Sequence, residues 1–291
     1  MIELNLPQRM LFALLRAAIG KTAAVPDCFQ QATAQDWKEC YQLAVGQGVA
    51  ALAWDGLNTL TAELMPERKL KLSWGLTVEK HTRYYKRHCR TIEQLSRYYS
   101  RHGIRTVQLK GVGLSTEYPI PSHREGGDID IYTFSATNRM TNAEANHLAD
   151  ELMSSQGIDV DTTYPKHSFF YYQGIPIENH KTFVNVKAYA KGHEIEEVLH
   201  ELLHPVEVRL EGGQTPVLVP STGFNMLFLA YHASQHLGSG LALHHLCDWA
   251  ILLNNHGPKI PHEADRLEIR RFIEVLTHLS HQLLGTDPEA P

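Results

Sequence analysis

Apolar residues recur at two different spacings along the chain, and the change of spacing divides it into three regions. In the first region, residues 1–103, spacings of three and four indicate helices that Pro7, Pro26 and Pro66 interrupt. Helices are predicted over residues 9–19, 35–60 and 67–102. This part of the chain is therefore expected to be an N-terminal helical region.

The second region, residues 104–190, changes to the alternating pattern of half-buried strands. Strands are predicted at residues 106–109 and 129–132, a helix at 142–156, and a hairpin from 168–172 and 175–180 that turns at Gln173 and Gly174. The third region, residues 191–291, returns to helical spacing, with helices predicted at 195–204, 222–237, 241–255 and 264–284. The pattern predicts an α/β (α+β) fold, in which a small mixed sheet is flanked by an N-terminal and a C-terminal helical region.

Two aspartates follow a glycine turn at the start of the second predicted strand. Side chains two apart on a strand share a face, so Asp128 and Asp130 point together while Ile129 and Ile131 point into a core. Mg²⁺ is usually held by one or two carboxylates and by the phosphate oxygens of a substrate. The pair therefore suggests nucleotide transfer. Because two clustered carboxylates repel without a metal, replacing either by asparagine is expected to raise stability.

The residues around this pair occur in a specific order: Leu109-Lys110-Gly111, Leu114, Tyr118-Pro119, Arg124 and Gly127-Asp128-Ile129-Asp130. Two later segments complete it, namely Ile177-Glu178-Asn179-His180 and the apolar stretch 246–253 that carries Asp248. Over residues 98–255 the chain resembles the uncharacterised bacterial nucleotidyltransferases of the DNA polymerase beta superfamily. The superfamily often has a serine just after the glycine, where this chain has Val112.

The resemblance implies a nucleotidyltransferase core and a set of site residues. It implies that Asp128, Asp130 and Glu178 are catalytic and hold Mg²⁺ or Mn²⁺, with an NTP as substrate. The nucleotide-binding residues it suggests are Lys110, Gly111, Gly113, Arg124, Gly127, His180 and Asp248.

Two parts of this site also have ordinary structural interpretations. Lys110 and Gly111 end a strand, where their amides either face a triphosphate or simply form a turn. Alternation places Glu178 and His180 on one face of their strand, turned either toward the site or toward solvent.

Two charged residues outside the metal set need partners. Arg124 is expected either to contact phosphate oxygens or to brace a carboxylate. Asp248 lies in an apolar helix, where an unpaired carboxylate is costly, so we expect it to have a partner such as a nearby histidine.

The C-terminal region offers a competing metal site. His232 and His236 are four residues apart and share a helix face, and His244 and His245 precede Asp248 on the next predicted helix. Such a cluster suggests zinc or iron. Against it, the segment from His232 to His236 lacks the glutamate of a metalloprotease helix, and 18 histidines make chance neighbours common.

Charge is unevenly distributed. The net charge is −5, yet residues 80–105 contain eight Lys or Arg and one acid, Glu93, a local sum of +7. Within this stretch, residues 83–88 and 97–102 repeat a basic, tyrosine-bearing motif at an offset that keeps both copies on one helix side. The stripe predicts either contact with polyphosphate or RNA, or a solvated face whose tyrosines pack on the core.

Composition limits the class of protein. The 291 residues are 43% hydrophobic and 20% charged, enough for a large core. No apolar run is long enough for a membrane helix, and the N-terminus lacks the features of a secretory signal, so no membrane partner and a cytoplasmic location are expected. The four cysteines are scattered, without a Cys-x-x-Cys pair, and are expected to be reduced.

The sequence thus predicts a metal-dependent nucleotidyltransferase that moves a nucleoside monophosphate from an NTP to an acceptor hydroxyl. Two alternatives remain open: a catalytically weak nucleotide-binding regulatory or antitoxin-like partner, and a phosphohydrolase built on the helical histidines. The acceptor (small molecule, protein or RNA), the choice of NTP and the oligomeric state stay open at this level.

Overall fold

The computed structural model describes residues 3–20, 27–137, 139–187, 191–238, 240–257 and 262–286. Within these ranges a seven-stranded mixed sheet has the order β3-β4-β5-β2-β1-β7-β6. The strands are β1 (Ile104–Gln108), β2 (Ile129–Ser135), β3 (Val160–Asp161), β4 (His167–Tyr172), β5 (Ile175–His180), β6 (Val206–Val208) and β7 (Val217–Val219).

Helices precede, follow and interrupt the strands in sequence. They are α1 (Leu6–Ile19), α2 (Asp27–Gln30), α3 (Ala34–Gly46), α4 (Ala50–Leu57), α5 (Arg68–Ser100), α6 (Val112–Ser115), α7 (Asn142–Ser155), α8 (Gly192–Leu202), α9 (Thr222–Gln235), α10 (Leu243–His256), α11 (Glu263–Arg266) and α12 (Arg270–Leu279). A π-helical turn, Ser280–Leu284, continues α12. The mixed sheet and its flanking helices confirm the predicted fold class.

The centre of the sheet combines both strand directions. β2 pairs antiparallel with β1 and parallel with β5, so that Asp130 lies opposite Glu178 and Tyr132 opposite His180. β4 and β5 form the predicted hairpin, in which Gln173 (φ 52°) and Gly174 (φ 73°) make the turn. The register places the acidic ends of β2 and β5 side by side.

The two sheet faces bury different helices. Ile129 and Ile131 of β2 pack with residues of α5 and α7. Val107 of β1 and Tyr132 of β2 face the other way and share a larger core with the N-terminal helices and with α8, α9 and α10. The face of β2 that carries Asp130 is therefore the one toward α9 and α10.

Several predicted elements are wrong in detail. The helix predicted over residues 35–60 is divided into α3 and α4, because Gly48 adopts a positive φ of 66° between them. The helix predicted over 264–284 is likewise interrupted at Glu268, with φ 58°. The third region also contributes β6 and β7, which sequence periodicity did not indicate because three-residue strands are too short to show it. The boundaries at residues 103 and 190 stay a prediction.

The basic helix α5 separates its two kinds of side chain. Tyr85 and Tyr99 are buried in the core, whereas Arg83 and Arg97 are exposed. The packing interpretation thus applies to these two tyrosines, and contact of the arginines with a polyanion stays a prediction. No disulfide joins the four cysteines, all of which are described. No helix in the described ranges is long and apolar enough to cross a membrane.

Candidate functional site

The turn after β1 is built around two glycines. Leu109 donates its N–H to the Asp130 carbonyl oxygen at 3.1 Å, which prolongs the pairing with β2 beyond the end of β1. Gly111 follows with φ 59°, a conformation that residues with a side chain rarely adopt. A Cβ on Gly113 would lie 2.5 Å from the Gln108 carbonyl oxygen, so this position requires glycine. The turn therefore holds Lys110 against the start of β2.

Asp130 lies at the centre of the polar residues. Its side chain is buried, and its Oδ1 accepts from Lys110 Nζ at 3.1 Å and from His180 Nε2 at 2.9 Å. Its Oδ2 is also buried but has no hydrogen-bond partner among the described residues. A buried carboxylate oxygen without a partner is costly, so this atom is a candidate cation ligand.

Glu178 and His180 extend the site across β5. Glu178 Oε2 is 3.5 Å from His180 Nε2 and 3.5 Å from His167 Nε2. One ligand atom each from Asp130, Glu178 and His180 lies within 4.8 Å of the others. Asp128 is outside this group of three, although its charge acts on both Asp130 and Lys110.

The two aspartates titrate in opposite directions. Burial alone would raise the pKa of Asp130, but Lys110 and His180 hold that pKa well below its usual range. Burial and the charge of Asp130 raise the pKa of Asp128. The charge of Asp130 is thus already balanced by protein cations. An additional cation would therefore stabilise the ionised form of Asp128 more than that of Asp130.

The two cations beside Asp130 show the matching effect. Burial opposes the charged form of both Lys110 and His180, yet the contacts with Asp130 outweigh it and raise the pKa of each. The charged forms of Lys110 and His180 are therefore both favoured by the same buried carboxylate.

Arg124 braces Asp248. Its Nε and Nη2 donate to the two carboxylate oxygens at 3.1 and 2.9 Å, and the Tyr118 hydroxyl donates to the same carboxylate at 2.5 Å. The Arg124 side chain is only 9% exposed and that of Asp248 2%. The partners of Asp248 are therefore Arg124 and Tyr118, and the expectation of a histidine partner is wrong.

Most, but not all, of the predicted site residues line one cleft. A cleft of about 360 Å³ is lined by Lys110, Gly111, Arg124, Gly127, Asp128, Asp130 and Asp248. Gly113 packs beneath it against β1, and Glu178 and His180 contact or adjoin Asp130 without lining it. His232, His244 and His245 line the same cleft. The two metal hypotheses of the sequence thus concern neighbouring walls of the same cleft.

Three further residues near the cleft were missed at the sequence level. Glu125 accepts from the Ala51 N–H at 2.9 Å and lies 3.3 Å from His81 Nε2, which links the glycine loop to α4 and α5. His167 contacts Glu178. Extending the predicted hairpin by one residue pairs His167 with His180, so its position was derivable, whereas no sequence signal marked Glu125 or His81.

Comparison with known proteins bears on this site. A search of curated proteins and a search of solved structures each gave no match. The model of a protein family described as uncharacterised nucleotidyltransferase matches residues 33–285, which include every residue discussed above as lining the cleft. Since the match spans most of the 291 residues, the chain belongs to this uncharacterised nucleotidyltransferase family.

Proposed function

We propose that the chain transfers a nucleoside monophosphate from an NTP to an acceptor hydroxyl, with Mg²⁺ or Mn²⁺ held by Asp128, Asp130 and Glu178. The observation that carries the proposal is the Asp130 carboxylate, whose buried Oδ2 has no hydrogen-bond partner in the described part of the chain and lies beside Glu178, in the same cleft as Asp128. Family membership supports the general reaction, nucleotidyl transfer.

The donor atoms suit a hard divalent cation. Carboxylate oxygens are the ligands that Mg²⁺ and Mn²⁺ prefer, and few protein ligands suffice when substrate phosphates complete the coordination. The bound cation would lower the pKa of the attacking hydroxyl and stabilise the leaving pyrophosphate. The raised pKa of Asp128 supports the need for a cation, because burial and the neighbouring carboxylate disfavour its charged form.

The chain's own residues bind and orient the reactants. Lys110 lines the cleft as a half-buried cation, so its ammonium is available to phosphate oxygens near Asp130. The acceptor oxygen forms a bond to the α-phosphorus, the bond from that phosphorus to the bridging oxygen breaks, and pyrophosphate leaves with the electron pair. The hydroxyl proton passes to Glu178, which is ionised beforehand. Burial raises the pKa of Glu178, but the hydrogen bond from His180 and the charges of His167 and His180 together outweigh it and lower that pKa.

The experiment is an incubation with Mg²⁺ or Mn²⁺ and each NTP labelled at either the α- or the γ-phosphate. Candidate acceptors are the protein itself, a pool of small hydroxyl compounds and RNA, followed by mass analysis. Nucleotidyl transfer moves the α-label and releases pyrophosphate. Movement of the γ-label alone would contradict the proposal.

Matched variants test the residues. We expect Asp128→Asn and Asp130→Asn to abolish α-label transfer, because each removes a charged ligand at nearly constant volume. Asp161→Asn is the control, because Asp161 is an exposed aspartate of β3 that accepts hydrogen bonds from nearby Thr163. Near-normal transfer by Asp130→Asn would show that the metal ligands are assigned wrongly.

A further inference from the structure

Three histidines converge at the corner between α9 and α10. One ligand atom each of His232, His236 and His245 lies within 4.8 Å of the others. We propose that these three imidazoles bind a Zn²⁺ ion, at a site separate from the carboxylates of β2 and β5. The inference is independent of the proposed nucleotidyl transfer.

The end of α9 and the start of α10 position the three side chains. His232 is in the last turn of α9, and His236 is its C-cap, so the two rings lie 4.8 Å apart on one side of the helix. The Gly240 N–H donates to the His236 carbonyl oxygen at 2.8 Å, which closes the turn toward α10. His245, in the first turn of α10, then lies 5.5 Å from the ring of His232 and 5.1 Å from that of His236.

The separation of the three ligand atoms is close to that required for Zn²⁺ coordination. Zn²⁺ binds imidazole nitrogen at about 2.0–2.1 Å, which in a tetrahedral arrangement places neighbouring nitrogens about 3.4 Å apart. Ligand atoms within 4.8 Å reach that separation by small side-chain rotations. Three protein ligands leave a fourth position for water or another small ligand.

A second observation points to a ligand at this place. His245 Nδ1 is buried and has no hydrogen-bond partner among the described residues. An orphaned buried nitrogen costs free energy unless something satisfies the ring. Burial also lowers the pKa of His245 to about 4 and holds the pKa of His232 well below its usual range. Both rings are therefore neutral near pH 7, which is the form that binds metal.

The donor type separates this ion from the one proposed at Asp130. Three imidazoles suit Zn²⁺ and other first-row transition metals, whereas Mg²⁺ prefers oxygen. His232 and His245 also line the cleft that contains Lys110 and Asp130. An ion held by the three histidines would tie α9 to α10 and so fix one wall of that cleft.

The test uses the full chain without a histidine tag, stripped of metal and titrated with Co²⁺ as a spectroscopic substitute for Zn²⁺. We expect one Co²⁺ per chain, the intense visible absorption of a four-coordinate site, and displacement by Zn²⁺. We also expect Zn²⁺ to raise the unfolding temperature, since binding to the folded state alone stabilises it. Absence of stoichiometric binding would overturn the proposal.

Variants separate this site from its neighbours. His232→Ala and His245→Gln are expected to lose the Co²⁺ absorption while circular dichroism shows that they fold. If one of them fails to fold, the other decides the question. His244→Ala is the matched control, because the His244 ring lies 4.0 Å from that of His245 but is outside the group of three. Asp130→Asn should also retain Co²⁺. Retention by both test variants, or loss in Asp130→Asn, would contradict the assignment.

Discussion

Replacing Asp248 by asparagine tests the buried ion pair that connects the cleft loop to α10. The substitution keeps the shape of the side chain but removes the charge that Arg124 contacts through two hydrogen bonds of 3.1 and 2.9 Å. Burial lowers the pKa of Arg124 and Asp248 raises it. Arginine has an intrinsic pKa above about 12, so the guanidinium stays charged even when its partner is removed. A buried cation without a counter-charge is the expected result.

The magnitude follows from the burial of both partners. The side chains are 9% and 2% exposed, so water screens the pair little. Breaking a buried pair by removing one partner costs about 3–5 kcal/mol. Because asparagine retains one acceptor oxygen, we expect the lower end, about 3 kcal/mol of unfolding free energy. With a urea slope of about 3 kcal/mol per molar, the unfolding midpoint should fall by about 1 M.

Urea unfolding of four proteins provides the assay: the wild type, Asp248→Asn, the double variant Arg124→Met with Asp248→Leu, and a control. Replacing both charges by apolar side chains of similar size is often neutral, so the double variant should be more stable than Asp248→Asn. Tyr118 loses its acceptor in the double variant, and Tyr118→Phe should recover part of the remaining loss. The control, Asp265→Asn, breaks an exposed pair with Arg270 and should not shift the midpoint measurably. A loss below about 1 kcal/mol in Asp248→Asn, or a double variant no better than it, would refute the reasoning.

Three other experiments have distinct expected outcomes. In metal-free thermal unfolding, Asp128→Asn should raise the melting temperature, because it relieves the repulsion between the two carboxylates. Asp130→Asn should lower the melting temperature, because it removes the partner of Lys110 and His180, and equal shifts in the two variants would contradict this prediction. Burial lowers the pKa of His180 but its bonds to carboxylates raise it, so its contribution to stability is complete below about pH 6.5 and is lost as pH rises through the folded pKa. His180→Gln should therefore flatten the fall in urea midpoint above about pH 6.5, and an unchanged pH profile would contradict this prediction. Gly113→Ala should lower the free energy of unfolding by about 1–3 kcal/mol, because its Cβ would meet a backbone carbonyl oxygen at 2.5 Å. Gly127→Ala, whose Cβ would have no atom within 4 Å, should unfold like the wild type, and similar stability of the two variants would show that the close approach at Gly113 relaxes freely.

The two aspartates are expected to affect stability in opposite directions, which changes one prediction made from the sequence alone. Repulsion between neighbouring carboxylates suggested that neutralising either would raise stability. For Asp128 the expectation stays, because burial and Asp130 raise its pKa. For Asp130 we predict the opposite, because Lys110 and His180 contact its Oδ1 and lower its pKa. Sequence spacing placed the two residues on one face but gave no information about the cations that would meet one of them.

The sequence by itself determined the features that depend on neighbouring residues. Periodicity identified the long helix α5, the strand β2 and the hairpin of β4 and β5, including its turn at Gln173 and Gly174. Alternation along β5 correctly separated Glu178 and His180 from the buried Ile175 and Ile177. The ordered residues from the glycine turn to the Asp pair indicated the family, which the match over residues 33–285 confirms.

Only the tertiary structure decided which distant residues meet. Arg124 and Asp248 are 124 residues apart, and His232 and His245 reach the cleft of Lys110 and Asp130 because α9 and α10 pack on that face of the sheet. The short strands β6 and β7 also become part of the sheet through tertiary pairing, because β7 pairs with β1 and β6 pairs with β7. Turn chemistry and side-chain alternation are local and can be read from a few consecutive residues. Contacts between separate elements depend on how whole faces pack, and no spacing along the chain encodes that.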